Sequence, residues 1–241
     1  MIVEWARLLL DLVYPRSCAV CGGDVAAHPR YFCWECWCKI PLIQPPFCAV
    51  CGDPIDGAVE GAFRCHACTD RPPAFLRARS AARYRDTLAR AMQAFKYNSR
   101  TCLAPDLADL LEGCYRVHYP DCRVDAIVPV PLYPRKERER TYNQSALLAR
   151  ELGRRLKRPV LLRALLRTRH TDTQTTLSAA KRRINVDGAF VVQPRERDWL
   201  AGKTCLLVDD VMTTGATVDA CAAALTSAGV WRVLVLTVGR G

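Results

Sequence analysis

The stretch VDDVMTTGAT, Val208 to Thr217, decides how the rest of the chain is read. It follows the apolar run TCLLV, Thr204 to Val208, and leads into ATVDACAAALTSAG, Ala216 to Gly229, so it joins a buried strand to a helix that ends at a glycine. In an α/β sheet such a junction lies at the carboxyl end of the strand, where these folds hold ligands. Beyond Val211 and Met212, the residues Thr213, Thr214, Gly215, Ala216 and Thr217 form a turn whose amides and hydroxyls can ring a phosphate, helped by the positive end of the helix. Asp209 and Asp210 do not suit phosphate. Carboxylates accept hydrogen bonds from ribose hydroxyls, however, and stabilise an anomeric carbon that turns positive as a leaving group departs. A receiver-type metal site also uses an acidic pair, but has no need of the threonine and glycine run.

Working outward, AIVPVP (Ala126 to Pro131) and WRVLVLTV (Trp231 to Val238) read as further buried strands, and SALLARELGRRL (Ser145 to Leu156) as a helix. Alternation of this kind from about Ser80 onward predicts a doubly wound α/β domain around a parallel sheet. A length of 241 residues accommodates a second unit, so the expected division is residues 1–72 and 73–241.

The first unit is set by cysteine. Nine of the 14 cysteines lie between Cys18 and Cys68, as four pairs with two intervening residues, plus Cys38. That spacing lets two thiolates reach one ion across a tight turn, and two pairs complete a tetrahedral zinc site. CAVCG occurs at Cys18 to Gly22 and again at Cys48 to Gly52, each followed by a second pair. Such a repeat favours sequential sets, Cys18, Cys21, Cys33 and Cys36 for one structural Zn²⁺ and Cys48, Cys51, Cys65 and Cys68 for another; a cross-braced arrangement is the alternative. The glycine after each first knuckle suits a positive φ. A segment this small has too little apolar core to fold without metal staples.

The net charge of +11 is unevenly spread. Residues 1–70 sum to −3, 71–134 to +4, 135–183 to +11 and 184–241 to −1. A polyanionic partner would meet the third block, and the acidic cysteine module is a poor DNA binder. In MIVEWARLLLDLVY the charges Glu4, Arg7 and Asp11 recur at helical spacing, which reads as a short amphipathic helix rather than a signal peptide. No run reaches the length of a membrane span, so the expected location is cytoplasmic.

The signature segment resembles the phosphoribosyl pyrophosphate motif of type I phosphoribosyltransferases. With the cysteine pairs, VPVPLYPRKERERTYNQSALLA (Val128 to Ala149), RTRHTDTQTTLSAAKRRINVDGAF (Arg167 to Phe190) and, more weakly, AFKYNSR (Ala94 to Arg100), the chain is similar over nearly its whole length to the ComF family of competence-associated phosphoribosyltransferase-like proteins. The resemblance implies the type I phosphoribosyltransferase sheet with an amino-terminal double zinc ribbon. It also implies that Asp209 and Asp210 serve catalysis and that residues 209–217 bind phosphoribosyl pyrophosphate. Arg135, Arg138 and Arg140 would hold pyrophosphate with Mg²⁺, Asn143 and Gln144 would position that loop, contact ligand or cap the next helix, and a hood from about Arg169 to Val186 would offer Arg169, Gln174, Arg183 and Asn185. One departure stands out: Thr141 and Tyr142 occupy the places of an expected Gly-Phe.

Two functions follow. In the first, an acceptor that the sequence does not identify takes the phosphoribosyl group and pyrophosphate leaves. A glutamine-dependent amidotransferase is disfavoured, because no cysteine holds the free amino-terminal position its nucleophile needs. In the second, a non-catalytic or regulatory DNA-uptake protein binds single-stranded DNA through residues 135–183 and works with a helicase-like competence protein. The oligomeric state is not legible.

Overall fold

A computed structural model describes residues 16–25, 30–59, 61–98, 100–169, 186 and 188–241. The sheet is built from β1 (Arg77–Arg83), β2 (Ala126–Pro129), β5 (Thr204–Met212) and β6 (Arg232–Arg240), all parallel, in the order β1-β6-β5-β2. A bridge from Ile127 to Val160 extends its β2 edge. Central strands β5 and β6 are apolar on both faces, as a sheet covered on both sides requires.

Side-chain alternation along the strands divides the interior in two. Leu206 and Val208 of β5 and Leu234 and Leu236 of β6 enter one core, with Leu88, Met92 and Phe95 of α3 (Asp86–Tyr97), Leu107 and Leu111 of α4 (Ala104–His118) and Leu148 and Leu152 of α6 (Gln144–Leu156). Cys205 and Leu207 of β5 and Val233 and Val235 of β6 enter the other, with Leu200 of α7 (Pro194–Leu200) and Val218, Cys221 and Leu225 of α8 (Ala216–Ser227). The doubly wound arrangement is thereby established. Between β2 and α6 lies the short α5 (Pro134–Arg140), and between α6 and β5 an antiparallel pair, β3 (Leu165–Arg167) and β4 (Phe190–Val192). Among the described residues no helix is long and apolar enough to cross a membrane.

The two cysteine units share the backbone hydrogen bonds of their first knuckles. Gly22 N–H donates to Cys18 O and Gly52 N–H to Cys48 O, both at 2.9 Å; Ala19 N–H donates to Tyr31 O and Ala49 N–H to Phe63 O. Cys33 and Cys65 each precede a five-residue helix, α1 (Trp34–Cys38) and α2 (His66–Asp70). The units land on opposite faces of the sheet. The first packs Cys18, Val25, Phe32 and Ile40 into the core of α3 and α4, and Tyr31 N–H donates to Asp106 at 2.7 Å. The second packs Cys48, Cys51 and Cys68 with Phe75, Met212 and Ala216.

Its first knuckle docks on β1, where Ala78 N–H donates to Val50 O at 2.8 Å and Arg79 donates to Ala49 O at 3.0 Å. That approach leaves no room for a side chain at Gly52, where a Cβ would stand 2.7 Å from Ala78 O at a φ of +69°. Gly22 holds the matching place in the first unit at +76°, with open space around it. Gly52→Ala is therefore expected to cost about 1–3 kcal/mol, lowering the melting temperature by roughly 2–10 °C in scanning calorimetry. Gly22→Ala, which carries the φ cost without the clash, should lower it less; equal losses would show that the docking contact adds nothing.

Candidate functional site

Strand β5 runs past Val208 to Met212, so both aspartates sit on the strand, pinned by pairing of Asp209 with Thr237 and of Val211 with Gly239. Alternation sends Asp210 toward α3. There its Oδ2 lies 3.0 Å from Lys96 Nζ, and both side chains are largely buried. Asp209 accepts from Ser145 Oγ at 2.8 Å, at the start of α6, and from the Asp210 backbone N–H at 2.9 Å.

Burial, and then the neighbouring Asp210 carboxylate, push the Asp209 pKa up to about 7, against the pull of Ser145 and Lys96. Burial alone would lower the Lys96 pKa, but Asp210 and, behind it, Asp209 raise it above its ordinary value. The pair is thus a high-energy acidic site held by one cation and a hydroxyl.

Directly after it, Gly215 takes φ +80° as the N-cap of α8, and Ala216 N–H lies 3.5 Å from Thr214 Oγ1. Thr213 is exposed and Thr214, Gly215 and Thr217 are partly so, which leaves the turn open beside the acids. Arg240, at the end of β6, donates to the carbonyls of Met212 and Thr213.

The arginine loop reaches this site through α3. Arg140 stacks on Tyr97, 5.0 Å from the ring centroid, and Tyr142 Oη donates to the Phe95 carbonyl. Phe95, Lys96 and Tyr97 therefore hold respectively the Tyr142 side chain, the acidic pair and an arginine. Their run AFKYNSR carried no assigned role in the sequence, and only that motif signalled it. Arg135 and Arg138 are exposed, with Arg135 Nε 2.9 Å from Glu139. Asn143 caps α6, accepting from Ala146 N–H at 3.3 Å and donating to Val130 O at 3.1 Å, so it fixes the end of the loop. Gln144 is buried, and its Nε2 makes no hydrogen bond. Arg169 is exposed just beyond β3; Gln174, Arg183 and Asn185 lie outside the described residues.

The departure at Thr141 has a structural signature. Its φ is +66°, the conformation a glycine would adopt freely, and Thr141 Oγ1 donates to the Arg140 carbonyl at 2.6 Å. A β-branched residue in this region is strained.

The cysteines gather into the two sequential sets, Cys18, Cys21, Cys33 and Cys36, and Cys48, Cys51, Cys65 and Cys68, with the sulfurs of each set within 4.8 Å of one another. Cys21 and Cys33 stand 3.6 Å apart and Cys51 and Cys65 3.7 Å. A tetrahedron with Zn–S bonds of about 2.3 Å has edges of roughly 3.8 Å, whereas a disulfide needs about 2.05 Å. Burial pushes the Cys18 and Cys48 thiols up, but backbone N–H groups, led by those of Cys33 and Cys65, bring both down to about 7. Both sets fit Zn²⁺.

Two expectations follow from the strained groups. An unfolded Asp209 titrates near 3.8 and the folded one near 7. The folded state thus holds the extra proton between those values, and the stability this gives is full below the lower one and lost as pH rises through the upper. Asp209→Asn should melt higher than wild type at pH 8, with the difference shrinking toward zero near pH 4; a pH-independent difference would remove Asp209 as its source. Thr141→Gly should stabilise by up to about 1 kcal/mol in urea unfolding, and Thr141→Ala, which keeps Cβ, by less.

A double zinc ribbon domain matches residues 9–69, and a phosphoribosyl transferase domain matches residues 143–238. The chain is 30% identical over 227 residues to competence protein F of Haemophilus influenzae, covering 92% of this chain and 96% of that protein. It is 34% identical over 164 residues to the DNA utilization protein YhgH of Escherichia coli K12, covering 67% and 70%. Among solved structures, the glutamine phosphoribosylpyrophosphate amidotransferase of B. subtilis is similar at 21% identity and a TM-score of 0.37, over 56% of this chain and only 25% of that one, too slight to carry an argument. The agreement with the Haemophilus protein spans nearly the full length of both chains, ribbons and sheet together, and on that footing this chain belongs to the competence protein F family.

Proposed function

We propose that the chain binds phosphoribosyl pyrophosphate with Mg²⁺ at the carboxyl end of β5 and transfers its phosphoribosyl group to an acceptor, releasing pyrophosphate. One observation carries the reading. Two adjacent carboxylates are held, at evident electrostatic cost, beside an open hydroxyl-lined turn that begins a helix. A purely structural strand end has no use for that arrangement.

In this reading the amides and hydroxyls of Thr213 to Thr217, with Val211 and Met212 behind them, hold the donor's phosphate. Asp209 and Asp210 accept from the ribose hydroxyls. As the bond from the anomeric carbon to pyrophosphate breaks and an acceptor lone pair forms the new one, positive charge on the ribose is stabilised by the same carboxylates. Mg²⁺, when bound, offsets the charge of the departing pyrophosphate, mainly through the donor's own oxygens. Arg135, Arg138 and Arg140 would meet that group and Asn143 and Gln144 would position their loop, while the family resemblance gives Arg169, Gln174, Arg183 and Asn185 to the hood. Lys96 holds the Asp210 side chain in place for the ribose hydroxyls.

The names of the relatives, competence protein F and DNA utilization protein, support a role for this chemistry in the handling of DNA. Direct strand binding by the basic block is the weaker reading. Its exposed helix α5 alternates arginines with Glu137 and Glu139, and Arg135 is engaged by Glu139. The same arginines are also needed for pyrophosphate.

Titration calorimetry with phosphoribosyl pyrophosphate and Mg²⁺ tests the proposal. Asp209→Asn combined with Asp210→Asn should bind at least about tenfold more weakly than wild type, the loss of hydrogen bonds to charged acceptors. Equal affinities would overturn the site. Release of pyrophosphate across a panel of nucleobases and amines then tests transfer; donor binding with no release from any acceptor would leave a sensor in place of an enzyme.

A further inference from the structure

The two cysteine units are equivalent in sequence but not in what they touch. The first contacts α4, through Tyr31 to Asp106 and Arg30 to Asp109 at 3.0 Å, on the face away from the signature turn. The second forms a wall of the turn itself. Cys65 and Cys68 share a cleft with Thr214, Gly215 and Arg240. The segment leading out of it is tied to α8 by Ala74 N–H donating to Asp219 at 2.7 Å.

One side chain joins the wall to the turn. Arg240 Nη2 lies 3.0 Å from Asp53 Oδ1, two residues after Cys51, while its Nη1 donates to the carbonyls of Met212, Thr213 and Gly241. Only 9% of the Arg240 side chain is exposed, against 49% for Asp53. The chemistry of this contact is directional. Carbonyl oxygens repel an anion, and a guanidinium that takes up those of Met212 and Thr213 turns them away and leaves the amides of the turn facing a phosphate. The planar fork reaches Asp53 at the same time, which a lysine ammonium on one stem does not do as well.

We propose that Arg240 is a positioning residue for the turn, and that the second cysteine unit holds Arg240 in place through Asp53, so that only this ribbon sets donor affinity while the first serves the fold. The part concerning affinity rests on the donor reading above; the part concerning the order of the turn does not.

The test separates the two. Amide hydrogen exchange over residues 211–217 is read on the full chain without ligand, and donor affinity by calorimetry with Mg²⁺, in Arg240→Ala, Arg240→Lys, Asp53→Asn and, as control, Asp56→Asn. Asp56 belongs to the same ribbon but pairs at 3.2 Å with Arg83 of β1, the neighbour of Arg240 in the ladder, and not with Arg240 itself. Zinc content by native mass spectrometry should match wild type in all four. Arg240→Ala is expected to speed exchange and weaken the donor by about tenfold, Asp53→Asn by about threefold, Arg240→Lys in between, and Asp56→Asn not at all. Unchanged exchange in Arg240→Ala, or equal effects of Asp53→Asn and Asp56→Asn, would overturn the proposal. If Arg240→Ala does not fold, Arg240→Lys against Asp56→Asn decides it. Should exchange respond while wild type binds no donor, the coupling stands and the donor reading falls.

Discussion

Two neighbouring carboxylates at the end of a buried parallel strand repel each other and resist desolvation, and most of what surrounds the end of β5 answers that problem. Lys96 reaches Asp210 from α3, and Ser145 reaches Asp209 from the start of α6. Neither helix is near β5 in sequence. The sheet brings them there because Leu206 and Val208 share a core with Phe95 on α3 and with Leu148 on α6. Packing of the apolar residues thus sets the positions of the polar ones, and the charge that results is tolerable only because the fold is complete.

The loop carrying the arginines is anchored on the same support. Asn143 ties it to the end of β2, Tyr142 to the last turn of α3 and Arg140 to Tyr97. A displacement of α3 would move the counter-ion of Asp210 and the arginines together. That linkage makes α3 the mechanical centre of the site, although no residue of it belongs to the signature segment.

Much of this was legible in the sequence where periodicity and spacing act locally. The strands near 126, 204 and 232, the helices at 145 and 216, and the cysteine sets follow from patterns within about 30 residues. Three features were not. Strand β1, RARSAAR, carries arginines where a strand would show branched apolar residues; it is buried because alanine and serine lie close against β6, which is a tertiary property. Likewise β5 was expected to end at Val208, but its polar continuation is held by the ladder to β6. The pairs Lys96 with Asp210 and Arg240 with Asp53 join residues more than a hundred positions apart, and no local pattern announces them.

The placement of the second ribbon raises an electrostatic question of its own. Four thiolates around one Zn²⁺ carry a formal charge of −2, an unfavourable neighbour for any site that receives phosphate. Arginines flank the cluster on two sides. Arg240 lies on the side of the turn, and Arg79, buried with 7% exposure, donates to the knuckle carbonyl of Ala49 and stacks on Phe47 from the side of β1. Burial lowers the Arg79 pKa, yet a guanidinium stays charged throughout the working range. An unpaired buried cation is costly in a neutral environment and favourable beside a thiolate cluster, so Arg79 and the second ribbon each make the other's burial affordable. On the side of the turn Arg240 is shared between Asp53 and the carbonyls of Met212 and Thr213, so it separates the cluster from the amides of the helix end, the groups there that favour an anion.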